Sequence, residues 1–251
     1  MSGWLKVVGL GPGSDALITP EVSQILSEAT DIIGYFPYVA RVQKRPGLTL
    51  HGSDNRVELD RSKLALSLAA EGKKVAVVSS GDPGVFAMAA AVFEAIEQGP
   101  DQWCQLDIVI LPGITAMLAA SARAGAPLGH DFCAINLSDN LKPWHLIEKR
   151  LRLASEADFA MAFYNPRSKA RPDGFARALE VLKECCKDDR PVVFARAVST
   201  KDETLSIVGL SQTTADMADM RTMVIVGSSQ TRVISRVGQA AWVYTPRSVP
   251  E

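Results

Sequence analysis

Three glycine-rich segments follow apolar, strand-like runs in this chain of 251 residues. They are Gly9-Leu-Gly-Pro-Gly13, Gly81-Asp-Pro-Gly84 and Pro112-Gly-Ile-Thr115. Glycine permits positive φ and lets a ligand approach the backbone closely. Ligands of open α/β sheets bind outside the carboxyl ends of the strands, so the three segments predict a small-molecule site. One such segment alone is more often a plain turn, whereas three in one chain favour a site.

The first glycine segment fits a dinucleotide-binding motif poorly. Gly9 and Gly11 match G-x-G-x-x-G, but Ser14 stands where the third glycine belongs. Pro12 removes one amide donor, and the next helix is predicted to begin only at about Thr19, too late to place its N-terminus on a pyrophosphate. A dinucleotide-dependent oxidoreductase is therefore the weaker alternative.

Ionisable residues near these segments have two interpretations each. Asp82 either stabilises its turn or acts on a ligand, and the sequence favours neither. His130 and Asp131 precede a predicted strand, where satisfying local backbone groups is the more common role and a general base the rarer one.

Two basic segments are predicted to contact an anionic substrate or, equally, to form a solvated face. The residues that form them are Arg41, Lys44, Arg45, Arg56 and Arg61 in the first segment, and Arg167, Lys169 and Arg171 in the second. The planar fork of arginine suits bidentate recognition of carboxylates.

Metal ligation has little support in the sequence. The four cysteines include no C-x-x-C pair, and His51 and His145 have no neighbours that indicate a site. We therefore expect no metal cofactor and a reduced, cytoplasmic setting. The opening MSGWLKVVGLG lacks the pattern of a signal peptide, in keeping with that expectation. The formal charge of −1 and the lack of a long apolar run argue against nucleic-acid and membrane partners.

Strand-like and helical segments alternate along the chain, which predicts an α/β protein. We predict two α/β domains, 1–113 and 114–251, with a mostly parallel sheet in the first and a mixed sheet in the second. The mixed sheet follows from strands near the C-terminal end that only short links separate. Tyr35–Asp60 is predicted to be irregular, Trp144 to pack at a helix start, and Met223–Val226 to be the final buried strand.

The segments VGLGPGSDALIT, SSGDPGVF and LPGITAM, in this order, resemble the motifs of the tetrapyrrole methylase family. The likeness extends over essentially the whole chain, to about Arg232. Five further segments resemble the ring-contracting precorrin-3B C-17 methyltransferase subfamily: Gly34–Tyr38, Gly129–Cys133, Leu137–Asp139, Phe163–Lys169 and Val226–Arg232.

The resemblance implies the tetrapyrrole methylase fold, with S-adenosylmethionine as cosubstrate and S-adenosylhomocysteine as product. Carried over by motif, the implied cofactor contacts are Pro12, Gly81, Asp82, Val85, Phe86, Thr115, Ala116, Tyr164 and Met223. The implied substrate carries many carboxylates, so Arg41, Arg45, Arg56, Arg167 and Lys169 are its predicted contacts. A homodimer is also implied.

The implied reaction is methylation of precorrin-3B at C-17 with contraction to precorrin-4, in cobalamin biosynthesis. Contraction requires removal of a proton, for which His130, Asp139 and Asp82 are the candidate bases, left unranked. The alternatives are a sibling enzyme that acts on another precorrin position or on cobalt-factor III, and a tetrapyrrole carrier without activity.

Overall fold

A computed structural model of the chain describes residues 3–54, 57–186 and 189–248. They fall into two units, Met1–Thr115 and Ala116–Glu251. Within the described residues the N-terminal unit has one β-sheet and the C-terminal unit has two, a five-stranded and a three-stranded one, and none of these sheets includes strands of both units.

Five parallel strands form the sheet of the N-terminal unit, in the spatial order β3-β2-β4-β1-β5. The strands are β1 (Trp4–Gly9), β2 (Asp31–Tyr35), β3 (Thr49–Ser53), β4 (Lys74–Ser79) and β5 (Asp107–Leu111). The helices are α1 (Pro20–Glu28), α2 (Phe36–Val39), α3 (Glu58–Ala70) and α4 (Met88–Glu97). Two apolar clusters cover the sheet, one with side chains of α3 and α4 and the other with side chains of α1 and α2.

The late start of α1 follows from its first residues. Thr19 is the N-cap, and its hydroxyl accepts a hydrogen bond from the amide of Val22 at 3.3 Å. Pro20 occupies the first helical position, where no amide donor is needed. A short 3₁₀ turn at Asp15–Leu17 fills the space between the first glycine segment and α1. The predicted helix start is therefore confirmed, and the glycines of the first segment do not open a helix.

The C-terminal unit contains a mixed sheet, as predicted, in the order β10-β9-β11-β8-β7. Only β7 and β8 are parallel neighbours; the other pairs are antiparallel. The strands are β6 (Gly125–Ala126), β7 (Phe132–Asn136), β8 (Ala160–Tyr164), β9 (Pro191–Arg196), β10 (Thr204–Gly209), β11 (Thr222–Val226), β12 (Arg232–Arg236) and β13 (Gln239–Tyr244). The helices are α5 (Ala116–Ala124), α6 (Trp144–Glu156) and α7 (Gly174–Cys185).

One prediction about the elements is wrong: Tyr35–Asp60 is not wholly irregular, because it contains α2 and the edge strand β3. Met223–Val226 lies in β11, which is buried as predicted. The mostly exposed hairpin β12–β13 that follows it and pairs with β6 was missed. The apolar alternation that signals a strand is weak in edge strands and exposed hairpins. Trp144 does begin α6, and the guanidinium of Arg177 stacks 4.2 Å from its ring centroid.

Candidate functional site

The three glycine segments meet at the carboxyl edge of the N-terminal sheet. They follow β1, β4 and β5, which are neighbours in register, so their ends lie side by side. Gly11 and Gly81 form a two-way backbone bridge, with N···O distances of 3.2 and 2.9 Å. The amide of Leu10 donates to the carbonyl of Ser79 at 2.8 Å. The first and second glycine segments are thus joined by main-chain hydrogen bonds.

Close backbone approach explains why glycine is needed here. A Cβ on Gly9 would lie 2.5 Å from the carbonyl oxygen of Gly81 and 2.8 Å from Cα of Gly113. A Cβ on Gly113 would lie 2.2 Å from that same oxygen. These distances are shorter than any ordinary van der Waals contact, and the obstacles are backbone atoms that cannot rotate away. The three segments therefore form one packed unit, which we call the glycine junction (residues 9–13, 81–84 and 112–115).

Asp82 links the second and third segments of the glycine junction. Its Oδ1 accepts the amide of Gly84 at 2.7 Å, which is an Asx turn, and its Oδ2 accepts the amide of Gly113 at 3.0 Å. Both carboxylate oxygens are therefore engaged by backbone donors. The turn-stabilising interpretation of Asp82 accounts for its observed contacts, and a contact with a ligand stays a prediction.

Two arginines predicted to bind substrate are engaged with the backbone instead. Arg41 donates from Nη2 to the carbonyl of Leu10 at 2.7 Å and from Nη1 to that of Gly11 at 3.4 Å. Arg45 donates to the carbonyls of Leu26, Ser27 and Ala29, the last ones of α1, at 3.0, 2.7 and 2.6 Å. Arg41 thus holds the glycine junction, and Arg45 caps a helix C-terminus. Arg56, the third predicted contact of this segment, lies outside the described residues.

Arg61 is buried and does not belong to a solvated basic face. Its guanidinium donates to Ser53 Oγ at 2.9 Å, to the carbonyl of Asp54 at 2.6 Å and to Met88 Sδ at 3.2 Å. Burial lowers its pKa, against the opposing effect of Glu58. Arg61 therefore joins the end of β3 to the start of α4, close to the carboxyl edge of the sheet.

Tyr38 is a polar residue of this edge that the sequence reasoning missed. Its ring meets that of Tyr35 edge-on with 5.3 Å between the ring centroids, and Ser80, the residue before Gly81, acts to lower the pKa of its phenol. Burial and Tyr35 raise the pKa of Tyr38, so its hydroxyl stays protonated and can donate. The GYFPY segment contains Tyr38, but no local pattern distinguishes it from Tyr35.

The remaining predicted cofactor contacts of the N-terminal unit lie on the glycine junction or next to it. Pro12 and Val85 are half-buried, and Thr115 is buried. Phe86 has a left-handed φ of 52° and is 50% exposed, which is an uncommon conformation for an aromatic residue. Strained residues of this kind are concentrated at ligand sites, so Phe86 keeps its predicted role.

Three predicted contacts of the C-terminal unit gather at one end of its sheet. The hydroxyl of Tyr164, the last residue of β8, accepts the amide of Met117 at 3.3 Å, directly after Ala116. Val224 pairs with Phe163, so Met223 lies beside the end of β8 where Tyr164 stands. Met223 is buried in β11, the strand against which α5 packs. Ala116, Tyr164 and Met223 are therefore near neighbours, and their contact with the cofactor stays a prediction.

The two candidate bases of the C-terminal unit, His130 and Asp139, lie at opposite ends of β7. His130 precedes the amino end of β7, with Nδ1 3.7 Å from Asp131 Oδ2. Asp139 is exposed beyond the opposite end of that strand, and five residues of β-strand span roughly 15 Å. Asp82 belongs to the N-terminal unit, and both its carboxylate oxygens accept hydrogen bonds from backbone amides. Within the C-terminal unit, His130 and Asp139 lie too far apart along β7 to act as an acid–base pair.

The second basic segment follows β8. Arg167 lies near Asp216, whose pKa is lowered by hydrogen bonds from Thr214 and its own amide and further by Arg167. Lys169 is exposed. Neither forms an ion pair or hydrogen bond within the part of the chain that the structure describes, so both stay predicted substrate contacts.

We also examined the described residues for cavities, metal-binding groups and membrane-spanning helices. An open hollow of about 730 Å³ between α6 and β7 is lined mainly by apolar side chains and includes none of the predicted site residues. Within residues 3–54, 57–186 and 189–248, no group of three or more His, Cys, Asp or Glu side chains is arranged to hold a metal ion. Among the same residues no helix is long and apolar enough to cross a membrane.

A family model and individual relatives both match this chain over most of its length. Residues 5–213 match the family described as Tetrapyrrole (Corrin/Porphyrin) Methylases. A Sinorhizobium protein named precorrin-3B C(17)-methyltransferase is 55% identical over 98% of this chain and 97% of its own length. The Mycobacterium tuberculosis cobalamin biosynthesis protein CobIJ is 46% identical over 100% of this chain, which spans 49% of that protein.

Solved structures show the same fold. A crystal structure of the methyltransferase CobJ is 64% identical, covers 98% of this chain and 100% of its own, and superposes with a TM-score of 0.93. A Thermus thermophilus uroporphyrin-III C-methyl transferase complexed with S-adenyl homocysteine has a TM-score of 0.66 at 21% identity, covering 90% of this chain and 97% of its own. The second likeness is evidence for the fold alone.

Proposed function

The chain belongs to the tetrapyrrole (corrin/porphyrin) methylase family, and from this premise we propose that it methylates precorrin-3B at C-17 with S-adenosylmethionine as the methyl donor. The methylation is accompanied by contraction of the macrocycle to give precorrin-4, a step of cobalamin biosynthesis. The observation that carries the proposal is the 55% identity, over nearly the full length of both chains, to a protein named for that reaction.

The glycine junction fits the proposed cosubstrate. Backbone atoms of Gly9, Gly81 and Gly113 approach so closely that no side chain can stand among them, which leaves main-chain carbonyls and amides at the carboxyl edge of the sheet. Pro12, Gly81, Asp82, Val85, Phe86 and Thr115 would hold the cosubstrate from the N-terminal unit, and Ala116, Tyr164 and Met223 are its proposed contacts in the C-terminal unit. When bound, S-adenosylmethionine supplies a methyl group on a sulfonium, whose leaving group is already activated.

The main tasks of the chain's own residues are to bind and orient the two substrates and to exclude water from them. The hydrogen bonds of Asp82 and Arg41 keep the glycine junction in one arrangement before any ligand arrives. No covalent nucleophile is needed, because the methyl group passes directly to an electron-rich carbon. Proton removal for the contraction falls to His130 or Asp139 rather than Asp82, whose two oxygens both accept backbone amides.

A direct assay tests the reaction. The purified protein is incubated with precorrin-3B and isotopically methyl-labelled S-adenosylmethionine, and the product is examined by mass spectrometry and NMR. We expect one label at C-17 and a contracted ring. Methyl incorporation without contraction, or turnover with cobalt-factor III but not with precorrin-3B, would show that the protein catalyses the reaction of a related methyltransferase instead. Failure to bind S-adenosylhomocysteine in calorimetry would refute methyl transfer altogether.

Four further properties are part of the proposal. The protein is a homodimer, works in the cytoplasm, needs no metal cofactor, and has two domains, 1–113 and 114–251, whose limit lies two residues before the limit between the two compact units. No disulfide links the four cysteines in the described part of the chain, which supports a reducing compartment. Light scattering of the purified protein tests the dimer, and expression of residues 1–113 and 114–251 as separate chains tests the domain limits.

A further inference from the structure

Three residues with strained backbone lie at one edge of the five-stranded sheet of the C-terminal unit. Asn165 follows β8 with a φ of 52°, and Ala197 and Ser199 follow β9 with φ values of 50° and 64°. β8 and β9 both run antiparallel to β11, so their carboxyl ends lie at the same edge. Left-handed backbone is costly for a residue that has a Cβ. Because such residues are concentrated at ligand sites, this edge is a candidate for ligand binding.

The segment Ala197–Ser199, which we call the strained turn, adjoins one of the predicted cofactor contacts. Ala195, two residues before the turn, pairs with Met223 on β11. The amide of Ala197 then donates to the carbonyl of Arg221 at 2.8 Å. All three residues of the strained turn are buried. The turn is therefore a packed part of the sheet edge at which Met223 stands.

Glu203, the residue before β10, is hydrogen-bonded to the strained turn. Its Oε2 accepts the amide of Ser199, the second left-handed residue of the turn. The amide of Glu203 itself donates to the carbonyl of Thr200 at 3.2 Å, which brings the carboxylate back over the turn. Ser199 is buried, and a buried amide needs an acceptor. A carboxylate is a stronger acceptor than a neutral oxygen, so Glu203 stabilises this conformation of Ser199.

The carboxylate of Glu203 also contacts the end of α5. Nε of Arg123, in the last turn of that helix, lies 3.1 Å from Oε1 and 3.2 Å from Oε2 of Glu203. The side chains of Arg123 and Glu203 are 54% and 26% exposed, and an exposed ion pair contributes little to stability. The hydrogen bond to the buried amide of Ser199 is therefore the more important of the two contacts.

We propose that Glu203 is a positioning residue of the cofactor site, whose carboxylate holds the strained turn in its left-handed conformation beside Met223. Glu203 acts through Ser199 and needs no contact of its own with the cofactor. Loss of the carboxylate lets the turn relax towards ordinary backbone angles, which weakens cofactor binding but leaves the chemical step of the bound complex unchanged. The inference rests on the proposed function for the identity of the cofactor.

Calorimetric titration of the full chain with S-adenosylhomocysteine tests the role of Glu203. Glu203→Ala removes a charge-assisted hydrogen bond and should raise Kd about tenfold. Glu203→Gln keeps an oxygen that can accept from Ser199 and should stay within about threefold of the parent protein. The matched control is Asp202→Asn, since Asp202 is the exposed neighbouring carboxylate and pairs with Arg221 at 3.4 Å; it should bind as the parent does.

Two further measurements distinguish positioning from a general loss of structure. In steady-state kinetics with precorrin-3B, Glu203→Ala should raise the KM for S-adenosylmethionine about tenfold with kcat nearly unchanged. Its affinity for uroporphyrin III, a stable porphyrin probe followed by fluorescence, should equal that of the parent protein. Thermal unfolding of each variant verifies that it folds.

A second background tests whether Glu203 acts through the strained turn. Glycine adopts positive φ without the cost of a Cβ, so a turn with Ser199→Gly depends less on Glu203. In that background Glu203→Ala should raise the Kd for S-adenosylhomocysteine by only about threefold. A full tenfold rise in both backgrounds would show that Glu203 acts by another route, and the inference would be wrong.

The outcomes also separate this inference from the proposed function. If the parent protein binds S-adenosylhomocysteine and Glu203→Ala binds it equally well, the inference is wrong and the proposed function stands. If Glu203→Ala weakens the binding of S-adenosylhomocysteine and uroporphyrin III to the same extent, its effect is general and the inference is again wrong. If the parent protein does not bind S-adenosylhomocysteine, the proposed function falls and the inference falls with it.

Discussion

Replacement of Asp82 by asparagine isolates the role of the carboxylate in the glycine junction. Asparagine has nearly the same shape but only one acceptor oxygen, and its NH₂ group must face either the amide of Gly84 or that of Gly113. One charge-assisted hydrogen bond is lost, and two donors face each other. Hydrogen bonds to charged groups contribute about 1.5–3 kcal/mol, which is the expected loss in the free energy of unfolding.

The consequences are measurable in stability and in ligand affinity. A loss of that size should lower Tm by roughly 3–12 °C in a chain of this length. Because Asp82 joins two arms of the glycine junction, the Kd for S-adenosylhomocysteine should rise by about tenfold to a hundredfold. The kcat at saturating concentrations of both substrates should change little. Differential scanning calorimetry, isothermal titration calorimetry and steady-state kinetics provide the three readouts.

The control is Asp101→Asn, since the exposed carboxylate of Asp101 forms no hydrogen bond or ion pair within the described residues. It should leave both Tm and ligand affinity unchanged. The opposite pattern for Asp82→Asn would refute the reasoning: a kcat reduced by about a hundredfold or more, with normal Tm and normal affinity, is what loss of a general base produces.

Four other predictions concern the glycine junction, Arg41, the titration of Lys142 and metals. Gly113→Ala places a methyl group 2.2 Å from the carbonyl oxygen of Gly81, so it should destabilise the protein by about 1–3 kcal/mol and abolish measurable S-adenosylhomocysteine binding in calorimetry. Arg41→Met should raise the KM for S-adenosylmethionine about tenfold with kcat nearly unchanged, whereas Arg45→Met should lower Tm without altering that KM. The pKa of Lys142 is lowered from 10.5, first by burial, so just below pH 10.5 the unfolded chain binds more protons than the folded chain. The free energy of unfolding, measured by denaturant titration at several pH values, should therefore rise with pH there, and Lys142→Met should lack that rise. Incubation with a chelator followed by desalting should leave methyl transfer unaltered.

Comparison variants make these results interpretable. Gly174→Ala is matched to Gly113→Ala, since a Cβ on Gly174 would meet only ordinary contacts of 3.6 and 3.8 Å, and it should not destabilise the protein. Cofactor binding by Gly113→Ala at the parent affinity would show that the close contact of Gly113 with Gly81 is unimportant. An equal rise in KM for Arg41→Met and Arg45→Met would indicate a general effect of charge rather than a role of Arg41 at the junction.

The glycine segments were predictable because their signal is local. Each consists of a short motif after an apolar run, and parallel neighbours bring such motifs to one edge of a sheet. The start of α1 was predictable for the same reason, since Thr19 and Pro20 carry the information themselves. The residues that the sequence places correctly are thus those whose role depends on their immediate neighbours.

The roles of Arg41 and Lys142 depend on residues far along the chain. Arg41 contacts Leu10, 31 positions away, and nothing in the surrounding VARVQKR indicates a backbone partner there. The pKa of Lys142 is lowered by burial and by Arg150 and Arg171, which stand 8 and 29 positions further along the chain. Long-range contacts of this kind have no period or motif, so the sequence predicts a basic segment but not which cations are engaged. The hairpin β12–β13 was missed although Gly238, with φ of 67°, marks its turn.

The bridge between Gly11 and Gly81 has a consequence for hydrogen exchange. The amides of Gly11 and Gly81 each donate to the carbonyl of the other residue, and the amide of Gly113 donates to Asp82, so all three are protected from exchange with solvent. These amides should share one opening free energy and exchange as a cooperative group, unlike the independent fraying usual in surface loops. The three segments should then open together when a ligand enters at this edge. Slow, correlated deuterium uptake by these three amides would show that joint opening.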